Sequence, residues 1–126
     1  MYEIRARVNF DAAHYLRDYQ GPCTRMHGHT WEVEAAVAGE ELGPGQLLLD
    51  FNELKEMLRD LVEPFDHRCL NEVEPFTELS PTSENLAGYM YRRLVEKLTV
   101  VRTGVNISWV SVSESSGTRV VYKEGE

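Results

Sequence analysis

Two histidines separated by a single glycine, His27 and His29, are the feature that most restricts how this chain can fold. They lead into a segment in which apolar and charged residues alternate, which is typical of a half-buried strand. Side chains two residues apart in a strand point to the same face of a sheet, so the two imidazoles are presented together. A third histidine, His14, ends an earlier alternating segment, and one antiparallel pairing of the two strands brings it beside the others.

This trio of histidines is typical of an open metal site. Three protein nitrogens around a tetrahedral zinc ion leave one position free, which is the arrangement of catalytic rather than structural zinc sites. Imidazole also binds other divalent metals, so the trio favours zinc without fixing it. Gly28 is expected to let the backbone approach the ion closely. The sequence therefore predicts one metal ion on His14, His27 and His29.

Strand and helix patterns follow one another in separate groups. Alternation predicts strands at residues 2–13 and 29–38, and runs of β-branched residues predict a hairpin of strands at 105–113 and 118–123. Two helices are predicted between these pairs. This order indicates an α+β domain in which two helices cover one face of a four-stranded antiparallel sheet. The 126 residues fit one domain, residues 1–126.

Each predicted helix has a start signal. The first spans residues 51–63, where Asp50 can accept a hydrogen bond from the backbone three residues on, Glu53 can reach back, and Pro64 ends the helix. The second starts within residues 80–84, with a proline near its first position, and carries a wide apolar stripe. The connections at 14–26 and 64–79 are predicted as loops.

An open sheet of four strands leaves two edges unpaired. The strand at 105–113 also has apolar residues on both faces, with Ile107 and Trp109 on one and Val110 and Val112 on the other. We infer that other copies of the chain cover the edge and the second face, so a homo-oligomer is expected.

Composition argues against several classes of partner. The net charge is −8 and the basic residues are scattered, which argues against nucleic acid, although a small anionic substrate needs only two or three local cations. No apolar run approaches the roughly 20 residues that span a bilayer, and the N-terminus lacks a secretory pattern. With only two cysteines, a reduced compartment, the cytoplasm, is expected.

Several polar residues have both a structural and a chemical interpretation. Cys23 can be a small apolar residue or a thiolate whose pKa a nearby dication lowers. His67 directly follows Asp66, and the pair can be an exposed helix end or a base oriented by a carboxylate, able to take a proton from Cys23. Glu114 is by default an acid at a surface turn, but a buried carboxylate there can accept two N–H groups of a heterocycle.

Three further residues are explained by structure alone at this stage. Cys69 precedes a leucine and is expected in the core. Thr82 and Glu84 are accounted for by capping of the second helix.

Together these residues resemble the 6-pyruvoyltetrahydropterin synthase and 6-carboxytetrahydropterin synthase family. The resemblance covers nearly the whole chain, and its most specific part is the Cys-X-X-X-His-Gly-His motif with the upstream Ala-Ala-His. The matching segments, in chain order, are Phe10-Asp11-Ala12-Ala13-His14, Cys23-X-X-X-His27-Gly28-His29, Leu49-Asp50-Phe51, Leu54-Lys55, Asp66-His67-X-X-Leu70-Asn71, Pro81-Thr82-Ser83-Glu84-Asn85 and Glu114.

The resemblance implies a tunnelling fold of the ββααββ type, with trimers whose sheets close a barrel and, usually, hexamers. It implies one zinc ion on the histidine trio and Cys23 as proton acceptor. It further implies that His67, Asp66 and Glu114 relay protons or anchor a pterin. Thr82 and Glu84 match positions that help to hold the pterin edge, often from a neighbouring subunit.

The spacing of Cys23 and His27 is similar to that of the bacterial 6-carboxytetrahydropterin synthases of the queuosine pathway. This branch implies a lyase that converts 7,8-dihydroneopterin triphosphate to 6-carboxytetrahydropterin, acetaldehyde and triphosphate. Arg17 and Arg25 are the cations nearest in sequence to the site, and we take them as candidate triphosphate ligands. The alternatives are the pyruvoyl-forming reaction, a non-catalytic pterin- or metal-binding oligomer, and a three-histidine zinc hydrolase.

Overall fold

The protein is described from a computed structural model, which covers residues 1–17, 20–21 and 24–125. Cys23, the expected proton acceptor, lies outside the described residues. Two helices and a five-stranded sheet in the order β3-β1-β2-β4-β5 confirm the α+β class. The elements are β1 (Tyr2–His14), β2 (His27–Gly39), α1 (Phe51–Val62), β3 (Arg68–Cys69), α2 (Ser83–Val101), β4 (Val105–Ser115) and β5 (Thr118–Tyr122).

The extra strand, β3, lies in the segment predicted as a loop. It has two residues, Arg68 and Cys69, which pair in parallel with Ala12 and Ala13 of β1. Two residues carry no periodicity, so the sequence pattern could not predict this strand. Its position matters because it fixes the preceding residue, His67, beside the end of β1.

Both helices pack on one face of the sheet, and their apolar stripes form the core with it. Leu54 and Leu58 of α1 and Leu86, Met90 and Leu94 of α2 are fully buried there. No helix in the described part of the chain has the length and apolar character needed to cross a membrane.

The helix boundaries differ from expectation by small, explicable amounts. Asp50 accepts a hydrogen bond from the backbone of Asn52, at 2.8 Å, one residue earlier than expected. The first helix ends at Val62, and Pro64 lies in the single 3-10 turn that follows. Pro81 precedes the cap residue of α2 instead of occupying its first turn, because Thr82 is the N-cap.

A β-bulge in β4 corrects the expectation of apolar residues on both sheet faces. Ala36 pairs with Trp109 while Val37 pairs with Ile107, so Ser108 is an extra residue in β4. The extra residue changes the phase of the side chains, and Ile107, Val110 and Val112 all join the helix-covered core. Only Trp109 of the four lies on the opposite face, where the Arg5 guanidinium is 5.3 Å from its ring.

The second face of the sheet carries polar and charged residues. Arg7 lies 3.8 Å from Glu32, and Arg119 lies 3.8 Å from Glu34 and also pairs with Glu32. The two glutamates here are only half-buried, and ion pairs near the surface add little to stability. Their alternation does, however, give this face a balanced charge.

Candidate active site

The three histidines converge at one end of the β1–β2 hairpin. His14 pairs directly with His27, and His29 lies two residues further along β2, so all three share the helix-covered face. The Nε2 atoms of His14 and His27 are 3.1 Å apart, and one nitrogen from each of the three rings lies within 4.8 Å of the others. The expected ligand trio is therefore assembled within a single chain.

The hydrogen bonds of the rings fix which nitrogen can bind an ion. His14 Nδ1 donates to the Pro81 carbonyl at 2.8 Å, and His27 Nδ1 donates to the Arg25 carbonyl at 2.7 Å. Because a carbonyl only accepts, the Nε2 atom of each neutral ring carries a lone pair. Two lone pairs 3.1 Å apart repel each other unless a cation lies between them.

The third imidazole gives an independent indication of a ligand. His29 Nε2 is buried and has no hydrogen-bond partner among the described residues. Zinc–nitrogen bonds of 2.0–2.1 Å in a tetrahedron separate the nitrogens by roughly 3.3 Å. The Nε2 atoms of His14 and His27 are close to this separation, at 3.1 Å, and the third nitrogen lies within 4.8 Å of both. The trio therefore fits a metal ion, and any divalent metal that imidazole binds satisfies this donor set.

Burial of His14 keeps its ring in the metal-binding form. The side chain is 2% exposed, and burial lowers the pKa of this imidazole. The hydrogen bond to the Pro81 carbonyl opposes the shift, whereas neighbouring His27 adds to it. A neutral imidazole is the form that coordinates metals.

Trp31 forms the floor of the site and was not singled out as a site residue from sequence. Its ring centroid lies 4.9 Å from that of His14 and 5.5 Å from that of His29, both edge-on, and the side chain is fully buried. Its indole N–H donates to the Ala12 carbonyl at 3.1 Å. The sequence signal was present, since Trp31 follows His29 at a spacing of two in the same strand.

Glu114 lies inside β4 and not at the turn where it was expected. The strand extends to Ser115, and Glu114 follows Val110 and Val112 at the spacing of two that keeps it on the face of the histidines. Its Oε2 atom is 3.5 Å from Nε2 of both His14 and His29, and its side chain is one-third exposed. The site therefore combines three imidazoles with one adjacent carboxylate.

Asp66 and His67 form an exposed pair held against β1. His67 Nδ1 is 3.0 Å from an oxygen of Asp66, which also accepts the backbone N–H of Asp11 at 2.9 Å. The pKa of the Asp66 carboxyl is lowered, and the hydrogen bond from the Asp11 backbone is the largest cause. The contact with His67 lowers it further. The His67 backbone N–H in turn donates to the Asp11 carbonyl at 2.6 Å.

His67 has a φ of 61°, a left-handed conformation that is uncommon for a residue with a side chain. Such conformations persist where surrounding contacts impose them, and they cluster at functional sites. Here the two bonds to Asp11 and strand β3 impose it. With Nδ1 turned to Asp66, the Nε2 atom of His67 has no hydrogen bond to any of the described residues.

A cleft of about 530 Å³ connects the two groups of residues. His29 and His67 both line it, together with Gly28 and Cys69. Cys69 is therefore a half-buried cleft residue and not part of the core as expected, because β3 turns its side chain toward the cleft. A Cβ added at Gly28 would meet nothing within 4 Å, so the expected need for a glycine near the ion is not supported within one chain.

The remaining predicted site residues are Thr82, Glu84, Arg17 and Arg25. Thr82 accepts the backbone N–H of Asn85 at 3.1 Å as the cap of α2, and Glu84 is exposed in the first turn. Arg17 Nη1 donates to the Phe76 carbonyl at 3.2 Å, so its guanidinium already has a partner within the protein. Arg25 is exposed and contributes its carbonyl to His27.

Comparison with known proteins gives a consistent result. The sequence profile of the family described as 6-pyruvoyl tetrahydropterin synthase matches residues 3–125. The 6-carboxy-5,6,7,8-tetrahydropterin synthase of Bacillus subtilis is 31% identical over 97% of this chain and 85% of its own length. The Synechocystis protein of the same name is 35% identical over 76% of this chain and 77% of its own length.

Two further relatives differ in name. The dihydroneopterin monophosphate aldolase of Pyrococcus furiosus is 35% identical over 73% of this chain and 74% of its own length. The structure of 6-pyruvoyl tetrahydropterin synthase from Caenorhabditis elegans superposes with a TM-score of 0.84 and 25% identity, covering 98% of this chain and 96% of that one.

Proposed function

The chain belongs to the 6-pyruvoyl tetrahydropterin synthase family and is a 6-carboxytetrahydropterin synthase-like lyase, and on that premise we propose its reaction. It converts 7,8-dihydroneopterin triphosphate to 6-carboxy-5,6,7,8-tetrahydropterin, acetaldehyde and triphosphate, with one zinc ion per subunit. The observation that carries the proposal is the convergence of His14, His27 and His29 beside a cleft that His67 also lines.

The trio holds the metal, and the cleft holds the side chain of the substrate. A zinc ion bound there would act as a Lewis acid that lowers the pKa of the hydroxyl and C–H groups of that side chain. His14 and His27 are oriented for this role by their bonds to the carbonyls of Pro81 and Arg25. Trp31 packs edge-on against the rings of His14 and His29 and supports them from below.

The proton transfers are assigned to Cys23, His67 and Asp66. Cys23 accepts the first proton, as the family resemblance implies. His67 takes or returns protons through Nε2, while Asp66 holds Nδ1 and stabilises the protonated ring. Such general acid–base groups contribute about 10²- to 10⁴-fold to rate.

The pterin ring is assigned to Glu114. A carboxylate can accept two parallel N–H donors from a heterocycle, and Glu114 lies within 3.5 Å of the metal-binding nitrogens. The ring would therefore be anchored close to the carbon atoms that react. Thr82 and Glu84 hold the pterin edge in this proposal, and Arg25, which is exposed beside His27, meets the triphosphate.

We also propose that the chain assembles as a homo-oligomer, a hexamer of two trimers. In the part of the chain described here, β1 pairs with β3 only at Ala12 and Ala13, and β5 is the last strand of the sheet. Both strands therefore offer unpaired edges that a second copy can extend.

A product assay tests the reaction. Purified, zinc-loaded protein is incubated with 7,8-dihydroneopterin triphosphate and, separately, with the monophosphate, and the pterin products are identified by mass spectrometry. A carboxy product from the triphosphate supports the proposal. A pyruvoyl product would instead place the chain in the sister branch, and turnover of the monophosphate alone would favour an aldolase, as the Pyrococcus furiosus relative is named.

Variants of the two cysteines test whether Cys23 is the base, with Cys69 as the comparison. We expect Cys23→Ala to lose at least about 10²-fold in kcat, whereas Cys69→Ala should retain most of the rate. A Cys23→Ala protein with the parental rate would remove the cysteine mechanism and favour a zinc hydrolase. A parental protein that binds zinc but turns over neither substrate would favour a binding module.

A further inference from the structure

The most buried of the three histidines is held by a part of the chain far from it in sequence. His14 is separated by 67 residues from Pro81, whose carbonyl accepts its Nδ1–H at 2.8 Å. By contrast, the carbonyl that holds His27 belongs to Arg25, two residues away. The orientation of His14 therefore depends on the segment before α2, and that of His27 depends on local backbone.

A closed set of hydrogen bonds fixes this segment. The side-chain amide of Asn85 donates to the Ser80 carbonyl at 2.9 Å, and the backbone N–H of Asn85 donates to Thr82 Oγ1 at 3.1 Å. The backbone N–H of Thr82 donates to the same Ser80 carbonyl at 2.9 Å. The bonds span both sides of Pro81 and leave its carbonyl directed at His14.

The ring nitrogen that does not face a metal determines how the imidazole presents the other one. A hydrogen bond from Nδ1–H to a fixed acceptor selects the tautomer and the ring angle, and loss of such partners typically costs about 10- to 100-fold in metal affinity. If the Pro81 carbonyl could turn away from His14, this ring would lose the hydrogen bond that selects its tautomer and its angle. The ring is only 2% exposed, so bulk solvent does not reach it to replace the carbonyl.

We propose that the turn at residues 80–85 positions His14 for metal binding, and that Asn85 and Thr82 are the positioning residues. The cap of α2 then has two roles, since the bonds that start the helix also aim the Pro81 carbonyl. This inference rests on the proposed metal centre. It assigns to Thr82 and Asn85 a function toward the metal that does not require substrate.

Helix capping alone is the competing explanation, and the chain contains its own control. Asp50 caps α1 by the same kind of bond, at 2.8 Å to Asn52, but α1 has no carbonyl directed at a histidine ring among the described contacts. Removal of either cap should destabilise a helix to a similar extent. Only removal of the α2 cap should change metal affinity.

The experiment measures zinc affinity by competition with a chromophoric chelator, without substrate. Thr82→Ala and Asn85→Ala are expected to bind zinc about 10- to 100-fold more weakly than the parental chain. Thr82→Ser, which keeps the accepting hydroxyl, should restore the affinity. Asp50→Ala should lower the melting temperature yet bind zinc within about two-fold of the parental chain.

The ligand-field absorption spectrum of the Co²⁺-substituted protein gives a second readout in the same variants. Its bands should shift in Thr82→Ala and Asn85→Ala but not in Asp50→Ala, because only the first two change the angle of one ligand. Parental zinc affinity in folded Thr82→Ala and Asn85→Ala would overturn the inference. A parental chain that binds no zinc would overturn it together with the metal centre, whereas zinc binding without turnover would count against the proposed reaction alone.

Discussion

At the scale of residues, two histidines make the site compatible with a bound cation. His14 and His27 both use Nδ1 to donate to backbone carbonyls, so their Nε2 lone pairs face each other at 3.1 Å. Either a metal ion or an added proton relieves that repulsion. Because burial lowers the pKa of His14, this ring resists the proton and stays in the neutral form that coordinates metal ions.

The fluorescence of Trp31 should change when a metal ion binds at the histidines. Its ring lies edge-on to His14 and His29, whereas the other tryptophan of the chain, Trp109, lies on the opposite face of the sheet. We expect Co²⁺, which quenches indole emission at short range, to reduce the fluorescence of the metal-free protein. Trp31→Phe should abolish the response and Trp109→Phe should preserve it. The reverse result would place the ion elsewhere.

Asp66 should make stability depend on pH in the acid range. Its folded pKa is lowered, chiefly by the Asp11 backbone N–H. A carboxyl of this kind adds stability that is fully present above its unfolded pKa, about 3.9, and is lost as the pH falls through the folded value. We therefore expect the melting temperature to fall below about pH 4, and less steeply in Asp66→Asn. Parallel curves for the two proteins would contradict this.

Short-range patterns predicted the cluster of three histidines, and long-range contacts decided the rest of the site. The side-chain period of a strand was enough to bring His27 and His29 together and to add His14. No local pattern could reveal that Pro81 holds His14 or that Asp11 holds Asp66, since the partners lie 67 and 55 residues apart. Cys69 was misplaced for the same reason, because its surroundings are set by a pairing with β1.

At the scale of elements, β4 shows how one inserted residue redirects a whole strand. A strict alternation places Ile107 and Val110 on opposite faces, whereas the bulge at Ser108 returns both to the core. The sequence carried no turn or glycine signal at this point. Glu114 lies beyond the bulge and in phase with Val110 and Val112, so its approach to the histidines does not depend on the extra residue.

The two glycines of β2 should respond in opposite ways to an added methyl group. A Cβ at Gly39 would lie 2.9 Å from side-chain atoms of Leu48 and Val105 and 3.1 Å from the Gly104 carbonyl, so Gly39→Ala should lower the free energy of unfolding by about 1–3 kcal/mol. Gly28→Ala meets nothing and should stay within about 0.5 kcal/mol. Urea unfolding of both variants tests this, and equal losses would contradict it.

For the whole molecule, pairing of the sheet edges between copies can be tested by the mass of the protein in solution. Val121 is 52% exposed in β5, at the edge of the sheet. If a second copy extends this edge, Val121→Lys should shift the protein from six times the 14.5 kDa chain mass toward smaller species. Val100→Lys, at an 87% exposed position in α2, is the matched control. Analytical ultracentrifugation distinguishes these outcomes, and a parental monomer would contradict the assembly.

The position of the ligands along the chain has a consequence for the order of synthesis. All three histidines belong to β1 and β2, which end at Gly39, so the ligand set is complete before either helix has been translated. An isolated hairpin is only marginally stable in water. An ion captured at this stage would hold the first two strands in register on the ribosome, and the turn that orients His14 would follow some forty residues later.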